Sequence, residues 1–251
     1  MRQSELDIRF IIKDKYDGRR DARGLARDRA RLARGEPLAY VIGWVPFLGC
    51  RIALSRRVLI PRSETEWWVQ EVIRSLDGRR GAALNVLDLF AGSGCIGTAI
   101  LKHLPRALVT FADVSESALE QSAANAHANG IARHRYASHR SNIFSAFGGR
   151  RFDLILANPP YIPANGTSRV EHSVLKYEPR RALFGGADGL ALIRRFVRTV
   201  GEHLADAGEV WMEFHPRQAR SIEKLLREAG FGRSVFSKDQ YGRLRYVRFR
   251  P

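Results

Sequence analysis

The chain has little cysteine, little lysine and no long apolar run, and each shortage excludes something. Two cysteines in 251 residues, Cys50 and Cys95, supply neither a disulfide framework nor a thiolate metal cluster. No stretch approaches the roughly 18 consecutive apolar residues of a transmembrane helix, so no membrane association is expected. The opening residues Met1-Arg2-Gln3-Ser4-Glu5 lack the apolar core and cleavage site of a secretory signal, which points to the cytoplasm. His127, His134, His139, His172 and His215 have no metal-ligand spacing and read as surface residues; no metal is expected. Internal repeats are absent too.

Arginine is what the chain has in excess. The net charge is +16, from 42 basic and 26 acidic residues, and only Lys13, Lys15, Lys102, Lys176, Lys224 and Lys238 are lysines. A pI near 10.8 favours polyanions such as nucleic acid, ribosomes and acidic proteins. The coding bias of a GC-rich genome accounts for the same arginines, with non-specific attraction as the result. Arg20, Arg23, Arg27, Arg31 and Arg34 recur at three- and four-residue steps, which predicts one helical face. Ala22, Leu25, Ala26, Leu32 and Ala33 supply a modest opposite face. That basic face is either the solvated side of a packing helix or a lip that guides an acidic partner.

Hydrophobic residues at 45% suffice for a normal core. Buried-strand patterns at 84–90, 107–112, 134–138, 152–157, 208–214, 231–237 and 244–249 alternate with helical patterns at 64–76, 94–103, 115–129, 189–205 and 216–229. Strand alternating with helix predicts an α/β domain, a seven-stranded and mostly parallel sheet with helices on both faces. The last two strands, joined by the turn-like segment 239–243, should pair antiparallel. Residues 1–39 form a short helical region with room for one or two helices. Residues 40–60, with Gly43 and Gly49, are expected as a linking β-hairpin, and 61–251 as the catalytic domain. Trp44 and Phe47 are expected to pack in the hairpin.

Two strand ends carry the chemistry. The strand 152–157 runs into Asn158-Pro159-Pro160-Tyr161, a rigid polar corner at the edge where open α/β sheets bind ligands. Two prolines fix φ and remove two N–H donors, so local carbonyls become available acceptors. Asn158 adds an amide and Tyr161 a flat ring, a combination suited to a planar nitrogen group. Upstream, the strand 84–90 leads into Ala91-Gly92-Ser93-Gly94, where glycine permits φ values that other residues avoid. Asp113 ends the next strand about twenty residues later, the usual place for a ribose-binding acid. The spacing Gly92-Ser93-Gly94-Cys95-Ile96-Gly97 also fits a nicotinamide dinucleotide turn. Asp88 before the turn and Asn-Pro-Pro-Tyr after the fourth strand favour S-adenosylmethionine instead.

These motifs, in this order, resemble the HemK/PrmC family, N5-glutamine methyltransferases that modify the Gly-Gly-Gln tip of peptide chain release factors. Residues 35–43, Val58-Leu59-Ile60-Pro61-Arg62-Ser63-Glu64-Thr65-Glu66 and the segment 177–190 resemble family signatures as well, so the likeness runs from residue 35 to about 250. The resemblance implies a class I S-adenosylmethionine-dependent methyltransferase. Asp88, Phe90, Ala91, Gly92, Ser93, Gly94, Asp113, Val114, Asn142, Ile143 and Asn158 would then serve the cofactor, with Asp113 on the ribose and Asn142 and Ile143 flanking the adenine. Asn158, Pro159, Pro160 and Tyr161 would hold the acceptor amide, whose N–H groups meet Asn158 Oδ1 and the Pro159 carbonyl while Tyr161 stacks on its plane. Arg62, Glu64 and Glu66 are open to ion pairing or substrate contact.

This chain departs from the family pattern at Ser63, usually Pro, at Phe90-Ala91 in place of Gly-Thr, and at Asn142 in place of Asp. Its helical region ahead of the hairpin is also shorter than the bundle with which the family helps hold the release factor. Release factor is the leading substrate. A small-molecule acceptor, an amino acid or guanidino compound, suits the shorter region, and adenine N6 of DNA or RNA suits the charge.

Overall fold

The computed structural model describes residues 3–19, 21–55, 58–79, 81–166 and 170–251. α1 (Gln3–Phe10) runs into a π-helical turn at Ile11–Lys15, and α2 (Ala22–Ala33) and α3 (Leu38–Ile42) follow. The apolar residues here are few and gather in one small cluster around Ile11, Leu25 and Val41. Buried Asp28 binds this cluster to charge, meeting Lys15 Nζ at 2.8 Å and the Tyr16 hydroxyl at 2.9 Å. The expected arginine face is only partly a face. Arg23, Arg27 and Arg34 are exposed, but Arg31 turns inward to Glu36 and to the carbonyls of Tyr40 and Val41. Arg20 lies outside the described residues.

The linking hairpin is shorter than 40–60. Pro37 starts α3 and Gly43, at φ 95°, ends it, so the strands are β1 (Trp44–Phe47) and β2 (Cys50–Ala53) alone. Trp44 packs, donating to the Asp14 carbonyl at 3.0 Å beneath the Arg51 guanidinium, and Phe47 is buried. α4 (Ser63–Ser75) follows, with Ser63 taking the first helical position, where Pro is also at home.

β3 (Asn85–Leu89), α5 (Cys95–His103), β4 (Leu108–Asp113), α6 (Glu116–Ala128), β5 (Tyr136–Arg140) and β6 (Phe152–Ala157) come next. The remaining elements are α7 (His172–Tyr177), α8 (Ala191–Thr199), β7 (Leu204–Glu213), α9 (Ala219–Glu228), β8 (Arg233–Lys238) and β9 (Leu244–Arg250). The sheet order is β5-β4-β3-β6-β7-β9-β8, with β9 antiparallel to both its neighbours. β3, β4 and β6 are buried along nearly their whole length, as strands covered on both faces must be. Alternate residues feed two cores: Val86, Leu154 and Leu156 pack with Trp68 and Ile100, whereas Leu87, Leu89 and Ile155 pack with Ile193 and Phe196.

Two helical patterns break, and that at 216–229 opens as a 3₁₀ turn at Pro216–Gln218 ahead of α9. The pattern at 189–205 breaks into α8 and a 3₁₀ turn at Val200–His203, and β7 starts at Leu204 rather than 208. The early part of β7 is irregular, its register with β6 shifting between Phe152 and Leu154. Gly208 permits the close approach there, since a Cβ would fall 2.9 Å from the Phe152 carbonyl.

The sheet fixes where ligands can sit. Strand order runs one way through β3, β4 and β5 and the other through β6 and β7, so the crevice opens at the carboxyl ends of β3 and β6. α6 holds the hairpin. Asn125 pairs with the backbone of Ala53 through both ends of its amide, and Asn129 does the same with Arg51.

Candidate active site

The first half of the site is made from backbone. Beyond Leu89 the chain turns with Phe90 at φ 63°, Gly92 at 54° and Gly94 at 72°. Gly94 cannot be replaced freely, because a Cβ would lie 2.6 Å from Ser122 Cβ and 2.8 Å from its Cα. Asp113 braces this turn: Oδ2 accepts the Gly92 N–H at 3.1 Å and Oδ1 the Ser115 N–H at 2.8 Å. Burial raises the Asp113 pKa, and the N–H groups of Ser115 and Gly92 oppose that rise. Across the crevice Ile143 stands at φ 60° in a turn tied by serines, Ser141 donating to the Ile143 carbonyl and Ser145 accepting from Asn142 N–H.

Phe90, Ala91, Gly92, Ser93, Asp113, Val114, Asn142, Ile143 and Asn158, all expected at the cofactor, line a single cleft of about 150 Å³. Arg181, from the family-like segment 177–190, and Leu192, which no local motif marks, line it too. Asp88 and Gly94 do not line the cleft. Asp88 lies beneath the turn, fully buried, where Oδ2 accepts the Gly97 N–H at 2.8 Å and Oδ1 has no partner. Burial pushes its carboxyl up to about 8.

The second half is made from side chains. Asn158, Pro159, Tyr161, Glu213, His215 and Arg245 line a chamber of about 790 Å³ that shares Leu59, Arg62, Asn158 and Ala182 with the cleft. Buried Glu213, at the end of β7, gathers three donors. Thr65 Oγ1 at 2.7 Å and Trp68 Nε1 at 2.8 Å meet Oε2, and the Tyr161 hydroxyl meets Oε1 at 3.0 Å. Asn158 Nδ2 donates in turn to Thr65 Oγ1 at 3.2 Å. Burial first, and then the charge of Glu213, keep the Tyr161 hydroxyl protonated.

The corner's carbonyls are not all free, contrary to expectation. The Tyr161 carbonyl accepts Gln218 Nε2 at 3.0 Å, and the Pro160 carbonyl sits against Gly185, where a Cβ would be 2.3 Å away. The segment 183–189 packs against both, Gly189 lying as close to the Tyr161 carbonyl as Gly185 does to that of Pro160. His215, expected at the surface, is half-buried and lines the chamber. The three residues left open each have a structural partner. Arg62 pairs with the fully buried carboxylate of Glu178, Glu66 accepts the Leu48 N–H at 2.7 Å, and Glu64 lies 3.8 Å from Arg245. Glu178 also accepts the Ile60 N–H, so the segments 58–66 and 177–190 are clamped to each other.

Comparison with known proteins identifies the family and the fold. The methyltransferase small domain family matches residues 71–186. The release factor glutamine methyltransferase of Geobacter sulfurreducens is 37% identical over 213 residues, 85% of this chain and 72% of that protein. That of Bordetella pertussis is 40% identical over 210 residues, 83% and 75%, and that of Agrobacterium fabrum 34% over 245 residues, 96% and 84%. Among solved structures, the hMettl16 catalytic domain in complex with a MAT2A 3′UTR hairpin superposes with a TM-score of 0.60 at 13% identity, covering 97% of this chain and 90% of that one. The ribosomal protein L11 methylase of Lactobacillus delbrueckii subsp. bulgaricus gives 0.52 at 19%, covering 76% and 79%; at such identities these two speak for the fold. The chain belongs to the release factor glutamine methyltransferases, S-adenosylmethionine-dependent enzymes on the class I methyltransferase fold.

Proposed function

We propose that this enzyme moves the methyl group of S-adenosylmethionine to the N5 amide nitrogen of a glutamine side chain in a peptide chain release factor. The observation that carries the proposal is Asn158, on the wall common to the cleft and the chamber. A group held by Asn158 from the chamber side meets whatever the cleft presents.

The cleft's donor set fits the cofactor. Each Asp113 oxygen keeps a lone pair for a ribose hydroxyl after accepting its backbone N–H. Ile143 and Leu192 offer apolar surface to a base, and Asn142 an amide oxygen for its amino group. The left-handed turn brings backbone, not side chains, to the ligand. Val114 and Phe90 to Ser93 complete the wall, and Asp88 acts from beneath through Gly97. The cofactor supplies an electrophilic methyl on a sulfonium.

The protein's task is then alignment. An amide nitrogen is a poor nucleophile because its lone pair is delocalised into the carbonyl. Asn158 Oδ1 and the Pro159 carbonyl, accepting one N–H each, direct that nitrogen and favour the positive charge that develops on it, and one of these protons leaves the nitrogen after the methyl has been transferred, giving the neutral methylamide. Tyr161, pinned through its hydroxyl, offers a ring to the amide plane, and Pro160 keeps the corner rigid. The two free cysteines, both buried, suit a reducing compartment and support a cytoplasmic setting.

The deciding assay offers release factor, free amino acids and nucleic acid in parallel with radiolabelled cofactor. Label should enter the release factor on glutamine. Asn158→Ala should still bind S-adenosylmethionine while losing about 100-fold or more in transfer. Label in another acceptor, or full activity of that variant, would overturn the proposal.

A further inference from the structure

Asn158 can serve as an acceptor only if its amide points one way, and the buried side chains behind it decide which. Thr65 has a single hydroxyl proton. Glu213 takes it at 2.7 Å, on an oxygen that also accepts the Trp68 indole N–H at 2.8 Å. An indole N–H only donates, so that oxygen is an acceptor and Thr65 Oγ1 faces Asn158 with lone pairs alone. The Asn158 atom 3.2 Å away is therefore the NH2, and its oxygen is left for the site. A flipped amide would set oxygen against oxygen and lose the hydrogen bond between the two side chains. The three side chains behind Asn158 are buried: Thr65 is 2% exposed, Trp68 0% and Glu213 1%.

We propose that Thr65 and Glu213 are positioning residues that lock the Asn158 carboxamide with its oxygen toward the acceptor, and that this lock makes the site choose a primary amide over the isosteric carboxylate. Glutamine and glutamate side chains have the same shape and differ in NH2 against O⁻. Two fixed acceptors, Asn158 Oδ1 and the Pro159 carbonyl, satisfy the two N–H groups of an amide. A carboxylate would meet them with lone pairs and repulsion. A freely flipping Asn158 would offer its NH2 for part of the time, welcoming the carboxylate and losing hold of the amide. The inference rests on the glutamine reading of the substrate, but the orientation of Asn158 stands apart from it.

The test has two arms. In the first, ¹⁵N spectra of the whole wild-type protein follow the Asn158 side-chain NH2, assigned by its loss in Asn158→Asp. One of its protons should exchange with solvent about tenfold or more slowly than an exposed amide, in keeping with a retained hydrogen bond. The protection should vanish in Thr65→Val and return in Thr65→Ser. Exchange at the exposed rate in wild type overturns the lock, whatever the substrate is and whether or not a variant folds.

The second arm measures methyl transfer to intact release factor, with the same factor carrying glutamate at the methylated position as inhibitor. Thr65→Val should lower kcat by about 10- to 100-fold, the cost of one unpaired buried polar atom. Cofactor affinity should hold, and the preference for the glutamine over the glutamate factor should narrow by a similar ratio. Thr65→Ser should restore both. Unchanged preference in Thr65→Val, or a serine variant no better than valine, sinks the proposal. A wild type that labels no release factor refutes the substrate reading alone, because the exchange arm still decides the orientation of Asn158.

Discussion

The two halves of the crevice are built from different materials. The proposed cofactor cleft is a matter of backbone: four residues with positive φ, Phe90, Gly92, Gly94 and Ile143, and amides braced by one carboxylate. The proposed acceptor chamber is a matter of side chains: Thr65 and Trp68 from α4, Tyr161 from the corner and Glu213 from β7 converge on one buried cluster. A backbone cradle tolerates varied side chains as long as φ can be reached, which is how Phe90 occupies a left-handed position where the family commonly has glycine. A buried hydrogen-bonded cluster tolerates little, because one missing atom strands the others. Mutations should therefore divide the two halves, and the largest effect should come where the cradle leans on a side chain.

Asp113 is that place. Asp113→Ala removes the acceptor of the Gly92 and Ser115 N–H groups together with the proposed ribose bonds. Hydrogen bonds to a charged group contribute roughly 1.5–3 kcal/mol each, so S-adenosylmethionine affinity should fall by about 100-fold or more. Titration calorimetry measures this directly. Tryptophan fluorescence should report an unchanged environment for Trp68 in the other half. Wild-type affinity in the variant would remove Asp113 from the cofactor.

The two glycines of the turn sharpen the same contrast. At Gly94 the residue is held both by φ 72° and by Ser122, 2.6 Å from any added Cβ; at Gly92 only φ 54° matters, since the nearest atom is 3.9 Å away. Gly92→Ala should cost about 1–2 kcal/mol of stability, the price of left-handed backbone. Gly94→Ala should cost about 1–3 kcal/mol more, from overpacking against a helix backbone. Denaturant midpoints of the two variants compare them in one experiment. Equal losses would mean that α6 yields to the methyl group and that φ alone sets the cradle.

The contrast in material explains what could be seen from the sequence. The glycine turn and Asp113 were legible because a backbone cradle is local: its residues lie within one strand-turn-helix-strand unit and keep a readable spacing. The Asn158–Tyr161 corner was legible for the same reason. The bonds of Thr65, Glu213 and Gln218 to that corner were not, although Thr65 falls within a family-like stretch. These residues arrive from elements far away in the chain, and a Thr in a helix or a Glu ending a strand carries no mark of the partner it will meet. Strand existence was legible from continuous apolar runs, whereas the break in 189–205 was not. The 3₁₀ turn at Val200–His203 continues the same apolar pattern, so periodicity could not separate it from α8. Arg31 left its expected face because Glu36 and two carbonyls of the linker offered closer partners than water.

Asp88 tests the comparison at its finest, because it is a fully buried carboxylate beneath the backbone-built half. Its ordinary pKa is 3.8 and burial holds it up to about 8 in the folded protein, with the Gly97 N–H opposing and the charge of Asp113 adding to the rise. Between those values the folded protein keeps a proton that the unfolded chain has released, so raising pH favours unfolding. This contribution to stability is highest below about pH 4, declines through the window up to about pH 8 and is level above it, with a slope of at most about 1.4 kcal/mol per pH unit. Asp88→Asn keeps an oxygen to accept the Gly97 N–H and has no proton to lose. Melting curves of both proteins between pH 5 and pH 8 should therefore converge at the acid end and separate toward pH 8, with the variant gaining on the wild type. Other titrating groups are common to both and cancel in the difference. Curves that stay parallel would mean that Asp88 is ionised in the fold throughout, and that its lone Oδ1 is satisfied by a donor entering the turn from the cofactor side.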